Sequence, residues 1–369
     1  MDKNIKIAVL TTYFDPEENG LTRYINGLYC ALLDKHLDIE VDVITFDTMR
    51  TGKYSDKTKY FNIFRIDCIP ILDRTYAIPT KKGRKQLHQI FEQNPYDFIN
   101  THTRFFLTSY YGIKFGEKYL IPVIHTEHGS GFVKHSCKPV AWIAKVYDYT
   151  LGKYVFKNAD LVCGVSRSAC DFSKKLGARK TEVVYNGIDT KFWEAGSRKQ
   201  TVISNDVIFT FVGRLIPEKG VQDLIEALSE IKTNWKLNII GDGHFRNKLE
   251  KLVKKYQLED KIQFLGAKSQ KEIQEILQKS DLFINPSIAS EGLPTTILEA
   301  AVTGCRVLSS DKGGSVEVLG KENLFEAGNL AELKEKILNY KKIPVTTVEK
   351  FDWQNIAKKY FKLLKKYSK

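Results

Sequence analysis

Short apolar runs alternate with longer amphipathic segments from one end of the chain to the other. Short apolar-rich runs stand at 5–12, 40–46, 98–102, 122–126, 161–165 and 182–185. Runs of that length and composition suit strands buried on both faces of a parallel sheet, with the helix-length segments between them as crossovers. A second series starts afresh at 207–212, 237–240, 262–265, 282–285 and 307–309. Between the two series lie Asn186-Gly187-Ile188-Asp189 and a polar stretch at 194–205. The pattern predicts an α/β protein of two parallel-sheet domains, residues 1–190 and 205–345. In the closing segment, 351–369, Trp353, Ile356, Ala357, Tyr360, Leu364 and Tyr367 recur at helical spacing with lysines between them. That is an amphipathic helix, which cannot extend the second sheet. Its stripe is expected to pack across both domains, a membrane-surface helix being the less favoured reading.

A length of 369 residues agrees with two cores, at the usual ~150 residues each. The chain starts straight into an apolar strand, so no signal peptide is expected. No apolar run approaches the ~18 residues of a membrane span. The six cysteines include no Cys-x-x-Cys pair, which suggests neither a disulfide framework nor a zinc cage and fits a reducing cytoplasm. The net charge of +13 is uneven: residues 1–186 hold 27 Lys+Arg against 20 Asp+Glu, the last twenty hold seven lysines against one aspartate, and 187–349 are neutral. A neutral second half disfavours a nucleic-acid binder and points to one basic face, suited to an anionic membrane surface or acceptor; solubilising lysines read equally well for the tail.

Ligands of parallel α/β sheets sit at the carboxyl ends of strands, and the candidate chemistry clusters there. Gly213-Arg214 and Lys219 follow the strand 207–212, offering two cations five residues apart for a diphosphate, or an ordinary basic turn. Glu291 and Glu299 bracket Gly292-Leu293-Pro294-Thr295. Pro294 suits the first helical position, and the amides of a helix start bind anions. Glu299 then lies on the second turn, roughly 7 Å along the axis. An acidic helix start is the bland alternative. No Gly-x-Gly-x-x-Gly follows either first strand, and Gly241-Asp242-Gly243 reads as a tight turn. In the first domain, Gly20 closes the loop after the first strand and permits close backbone approach. His125-Thr126-Glu127-His128-Gly129 ends the strand 122–126. Its two histidines point to opposite faces, which disfavours a metal and leaves His128 as the substrate-contacting candidate. His125, His102 and His135 read as structural or rim residues. Basic and aromatic residues at 81–85, 104–106 and 142–156 form a candidate edge for anionic lipid headgroups, or a solvated helix face with a core stripe.

Taken together, the Gly20 loop, Glu127-His128-Gly129, Val165-Ser166, Asn186-Gly187-Ile188-Asp189, Gly213-Arg214 with Lys219, Gly241-Asp242-Gly243, Phe264-Leu265-Gly266 and the glutamate pair span nearly the whole chain. In that order they resemble a family 4 glycosyltransferase of the GT-B fold, and the Phe351-x-Trp353 segment resembles the family's closing helix, which crosses back to the first domain. The resemblance implies two Rossmann-like domains facing a cleft. It implies Arg214 and Lys219 on the donor diphosphate and Glu299 on the ribose. Glu291 would face the transferred sugar, with Gly292, Leu293, Pro294 and Thr295 against the phosphate. Gly213, Gly243 and Gly266 would line the donor site, His128 would contact the sugar, and Gly20 would bring amides toward phosphate. Asn19-Gly20 departs from the two glycines of many members, so that last contact is the weakest of the set.

The implied activity is a retaining hexosyl transfer from a nucleotide diphosphate sugar to a hydroxyl of a glycan or polyprenyl-linked acceptor, in surface-glycan synthesis. A UDP-sugar is favoured and a GDP-sugar is possible. No Asp-x-Asp occurs, so no metal and no cofactor are expected. The expected location is cytoplasmic, peripheral on the membrane. A nucleotide-sugar epimerase of the same fold and a non-catalytic basic membrane or nucleic-acid binder are the competing readings.

Overall fold

A computed structural model describes residues 4–17, 19–71, 74, 76–132, 138–194 and 206–367. His135, Cys137 and most of the polar stretch at 194–205 lie outside the described residues. The chain divides into two compact units, residues 1–187 with 353–369, and residues 188–352.

The first unit is built on β1 (Ile5–Thr11), β2 (Ile39–Phe46), β3 (Ser55–Lys57), β4 (Asn62–Ile66), β5 (Cys68–Ile71), β6 (Tyr76–Pro79), β7 (Phe98–His102), β8 (Val123–Glu127), β9 (Leu161–Gly164) and β10 (Thr181–Val183). Eight of them form one sheet in the order β10-β9-β8-β7-β1-β2-β4-β3. Every pairing in it is parallel except β3 against β4. Strands β5 and β6 form a separate antiparallel hairpin. The central strands are buried on both faces over most of their length, which is why they read as apolar-rich runs. Four strands, β3 to β6, were not predicted. β3 is wholly exposed, β4 carries the buried Arg65, and Pro70 interrupts β5.

The second unit has β11 (Val207–Val212), β12 (Trp235–Ile240), β13 (Ile262–Gly266), β14 (Leu282–Asn285), β15 (Arg306–Ser310) and the two-residue β16 (Leu324–Phe325). All run parallel in the order β13-β12-β11-β14-β15-β16. Phe211, Leu224, Trp235, Leu237 and Ile284 anchor its core. Among the parallel strands of each sheet the order reverses direction once, between β1 and β7 in the first and between β11 and β14 in the second. Such switch points open a crevice at the carboxyl ends of the strands, where ligands of this architecture bind.

The closing helix, Trp353–Tyr367, belongs to the first unit. Its Tyr360 hydroxyl lies 3.0 Å from that of Tyr29, which donates to Asn100 Oδ1 at 2.9 Å. The Trp353 ring occupies the space that side chains at Gly27 and Gly187 would need, which gives the glycine of Asn186-Gly187-Ile188-Asp189 a packing role. With Ile356, Ala357, Tyr360 and Leu364 buried, the apolar stripe is spent on packing, and the membrane-surface reading of this helix does not hold. Among the described residues no helix is long and apolar enough to cross a membrane.

Candidate active site

Two loops leave the switch point of the second unit, after β11 and after β14. The first carries Gly213-Arg214 and a single 3₁₀ turn, Pro217–Lys219. The Glu218 carbonyl accepts from Ile288 N–H at 2.9 Å and from Ser287 Oγ at 3.2 Å, joining the first loop to the second. Gly220 follows with φ +69°, and a Cβ there would overlap the Pro286 carbonyl. Only glycine accepts both the left-handed backbone and that approach. Arg214 is exposed, and among the described residues no side-chain hydrogen bond or ion pair holds it. Lys219 Nζ, by contrast, lies 2.5 Å from Glu291 Oε2 with both side chains mostly buried. The structure therefore joins two residues that the sequence reading sent to different parts of a donor.

The helix Thr295–Val302 starts one residue later than expected. Pro294, with φ −65° and ψ 114°, is its N-cap rather than its first turn, because that ψ is extended. Among the described residues no side chain caps this helix start, and uncapped first amides can serve as an anion site. Glu299 is buried on the second turn.

Glycines brace the strand ends behind these loops. Side chains at Gly241 and Gly243 would overlap the Gly213 and Leu215 carbonyls, while Leu215 N–H donates to Asp242 O and Gly241 N–H to Gly266 O. Gly266 has φ +70° with open space where a Cβ would be. The sequence reading missed Gly313-Gly314. Gly314 N–H donates to the Glu291 carbonyl at 3.1 Å, and side chains on the pair would overlap the backbone of Glu291 and Gly292. It also missed a buried polar seam in which Ser310 Oγ donates to Ser287 O at 2.6 Å and Asn285 Nδ2 to Ser309 Oγ at 3.1 Å. Paired glycines after a strand and serines ending one were the available signals.

In the first unit the carboxyl ends of β7 and β8 are polar yet buried. His102, read above as structural or rim, is fully buried, and its Nδ1 lies 3.2 Å from His128 Nε2. Tyr24 stands edge-on to the His128 ring at 4.8 Å. Burial pushes His128 down to about 4, with His125 lowering it further against the opposing pull of Glu127. Burial likewise holds His102 well below the ordinary range, aided by His128 and His125. Both imidazoles are neutral at pH 7 and act as hydrogen-bond groups.

A depressed histidine has a stability signature. The unfolded chain takes up a proton near pH 6.5 and the folded one only near 4, so stability is full above that window and falls as pH drops through it. For His128 the loss approaches about 3 kcal/mol at the acid end. His128→Asn is therefore expected to flatten the pH dependence of urea-unfolding free energy between pH 6.5 and 4; an unchanged slope contradicts it.

Arg104 holds the loop that follows β8. Its Nη1 donates to Glu127 Oε1 at 2.8 Å, Nε to Asp148 Oδ1 at 2.6 Å and Nη2 to the Gly131 carbonyl at 2.9 Å. Glu127 Oε1 also accepts from Gly129 N–H at 2.7 Å. Burial works against the Glu127 charge, but Arg104, His125 and the Gly129 amide override it and hold the carboxyl near 2. Burial pushes Asp148 up while Arg104 pulls it back. Arg104, only 2% exposed, is thus no headgroup ligand, and the buried Phe156 drops out of the proposed lipid edge as well. Gly20 has open space around it, but Asn19 Oδ1 accepts from the Leu21 and Thr22 amides at 2.9 and 3.0 Å. The residue that departs from the family pattern thereby caps the helix start a phosphate would use. Among the described residues no group of three or more His, Cys, Asp or Glu is placed to hold a metal.

Comparison with known proteins extends over the whole chain. Residues 18–192 match the model named Glycosyltransferase Family 4, and residues 194–360 the one named Glycosyl transferases group 1. An uncharacterized glycosyltransferase of Methanocaldococcus jannaschii is 26% identical, covering 99% of this chain and 99% of its own. The UDP-Gal:α-D-GlcNAc-diphosphoundecaprenol α-1,3-galactosyltransferase of Escherichia coli is 30% identical over 67% of this chain and 66% of its own. Among solved structures, sucrose-phosphate synthase from Thermosynechococcus elongatus superposes with a TM-score of 0.80 at 21% identity, covering 98% of both chains. That likeness carries the GT-B fold.

Proposed function

Since this chain belongs to family 4 of the glycosyltransferases, we propose that it is a retaining, metal-independent hexosyltransferase that moves a sugar from a UDP-sugar to a hydroxyl of a lipid-linked glycan. The observation that carries the donor reading is local: an Arg214 and a helix start without side-chain partners among the described residues leave one switch point with the Lys219–Glu291 pair. Two cations and a helix dipole stabilise a departing diphosphate without a divalent ion. The match to an enzyme named for UDP-galactose and a diphosphoundecaprenol acceptor favours uridine and a lipid carrier. The neutral second unit and basic first unit suit an anionic acceptor and a cytoplasmic, membrane-peripheral location.

The ion pair gives the mechanism its first step. An arriving diphosphate competes with Glu291 for Lys219, and the released carboxylate accepts a hydrogen bond from the transferred sugar. The bond from the anomeric carbon to the phosphate oxygen then breaks, its electron pair leaving with the nucleoside diphosphate. The acceptor oxygen bonds to the anomeric carbon from the same face, and its proton passes to a phosphate oxygen of the leaving group. Glu291 and Glu299 need no covalent role, being assigned to sugar and ribose hydroxyls. The neutral His128 imidazole suits hydrogen bonding to a sugar hydroxyl.

The test follows UDP release from UDP-sugars with and without a polyprenyl-diphosphate glycan, in the presence of a chelator, with the product anomer assigned by NMR. Release that requires acceptor, survives chelation and gives the donor's anomer is expected. Acceptor-independent cleavage with return of an epimerised nucleotide sugar would replace transferase with epimerase.

A further inference from the structure

Two elements of the first unit are folded with their large apolar side chains outward. In the helix Lys138–Tyr147, Ala141 and Ala144 are half-buried. Its Trp142 and Ile143 stand 67% and 61% exposed. The β5–β6 hairpin repeats the inversion: Ala77 is buried, while Ile69 and Ile78, directly paired across the strands, are 55% and 41% exposed. Ile71 and Tyr76 are the next pair on the same face. From that face the Tyr76 hydroxyl reaches the Tyr147 hydroxyl at 3.1 Å, at the end of the helix. Hairpin and helix thus meet at these two tyrosines, with exposed apolar side chains on both elements. A monomer has no reason to present isoleucine and tryptophan while hiding alanine unless something else covers them.

The chain beside both elements is cationic. Exposed Lys81, Lys82, Arg84 and Lys85 follow β6 directly, and Lys145 and Lys153 lie on and after the helix. The chain's net charge of +13 falls on the unit bearing the patch, the other being neutral. A second copy would bring two such charges together, which disfavours self-association. Apolar residues with tryptophan and tyrosine at their margin, ringed by lysine, match the boundary between acyl chains and anionic headgroups.

We propose that the Ile69–Ile78 hairpin face and the Trp142–Ile143 helix face together dock this protein on an anionic lipid bilayer. The inference deepens the reading of a lipid-linked acceptor, but vesicle binding is measured without donor or acceptor, so the two fail separately.

The experiment sediments the full chain with vesicles of phosphatidylcholine alone, or mixed with phosphatidylglycerol. Binding to the anionic vesicles that weakens with salt is expected, reduced at least about tenfold in Trp142→Glu/Ile143→Glu and in Ile69→Thr/Ile78→Thr. Both pairs are exposed, so melting temperatures are expected to hold; where one pair fails to fold, the other decides. Trp193 and Trp235 are buried and the half-buried Trp353 ring is packed against Gly27 and Gly187, so brominated lipid should quench wild-type fluorescence mainly at Trp142, and Trp142→Phe should bind normally with that quenching lost. Unchanged binding in the folded variants, no preference for anionic lipid, or self-association abolished by the same substitutions overturns the proposal.

Discussion

Arg214→Ala is expected to lower kcat/KM by about two to three orders of magnitude, the usual loss when one preorganised donor to a developing anion is removed, with no measurable change in melting temperature. The second half of that expectation gives the first its meaning. Arg214 is exposed and held by no side-chain partner among the described residues, so its removal costs the fold nothing, and any activity lost is lost at the ligand. Lys219→Ala should reduce turnover as severely but less cleanly, because it also strips Glu291 of an ion pair in a mostly buried setting. If the two cations address one diphosphate, as proposed, the double variant should fall short of the product of the single losses. Near-normal rates in either single variant would remove the diphosphate assignment.

Arg104→Met is expected to destabilise the protein by about 3–5 kcal/mol, the range for removing one partner of a buried ion pair. The guanidinium is enclosed by Glu127 and Asp148 and packed over Phe105 and Phe172 at 4.4 and 4.6 Å. Methionine keeps part of that packing but leaves two buried carboxylates with no cation. The sign of the pH dependence separates charge from packing. In the wild type, Glu127 is held near 2, so its contribution is present above the ordinary carboxylate range and is lost only as pH falls through about 2. In the variant, burial is opposed at Glu127 only by His125 and the Gly129 amide and at Asp148 loses the pull of Arg104, so the carboxyls rise and take up protons as pH drops. The stability gap should therefore narrow between pH 7 and 5 in urea melts. A gap independent of pH would make Arg104 a packing residue only.

The sequence carried the sheets well because parallel strands are buried on both faces, and burial leaves an apolar run such as 7–10 or 161–165. It carried badly whatever depends on distant partners. Arg104 beside Phe105 and Phe106 looks like a surface edge until the fold brings Glu127 and Asp148, 23 and 44 residues away, onto its guanidinium. His102 ends a strand that reads as polar, Asn-Thr-His, and only the sheet shows that these positions are buried beside His128. The outward-facing hairpin escaped notice because Pro70 breaks its pattern and its isoleucines point the wrong way. At the donor loops, residue types were legible and pairings were not. Arg214, Lys219 and Glu291 stood out by chemistry, whereas the Lys219–Glu291 contact, the support from Gly313-Gly314 and the cap that Asn19 places on the Gly20 helix are three-dimensional facts.

The central claim is that the switch point of the second unit holds a nucleoside diphosphate through Arg214, Lys219 and the start of the helix Thr295–Val302. The most direct test is a thermal-shift titration with UDP, GDP and their sugar conjugates on the wild type and on Arg214→Ala, since a ligand bound only by the folded state raises its stability by mass action. The account predicts saturable stabilisation of the wild type by a uridine diphosphate sugar, with the curve displaced at least about tenfold in concentration for the variant. Equal stabilisation of both proteins, or none of the wild type by any nucleotide diphosphate, would contradict it.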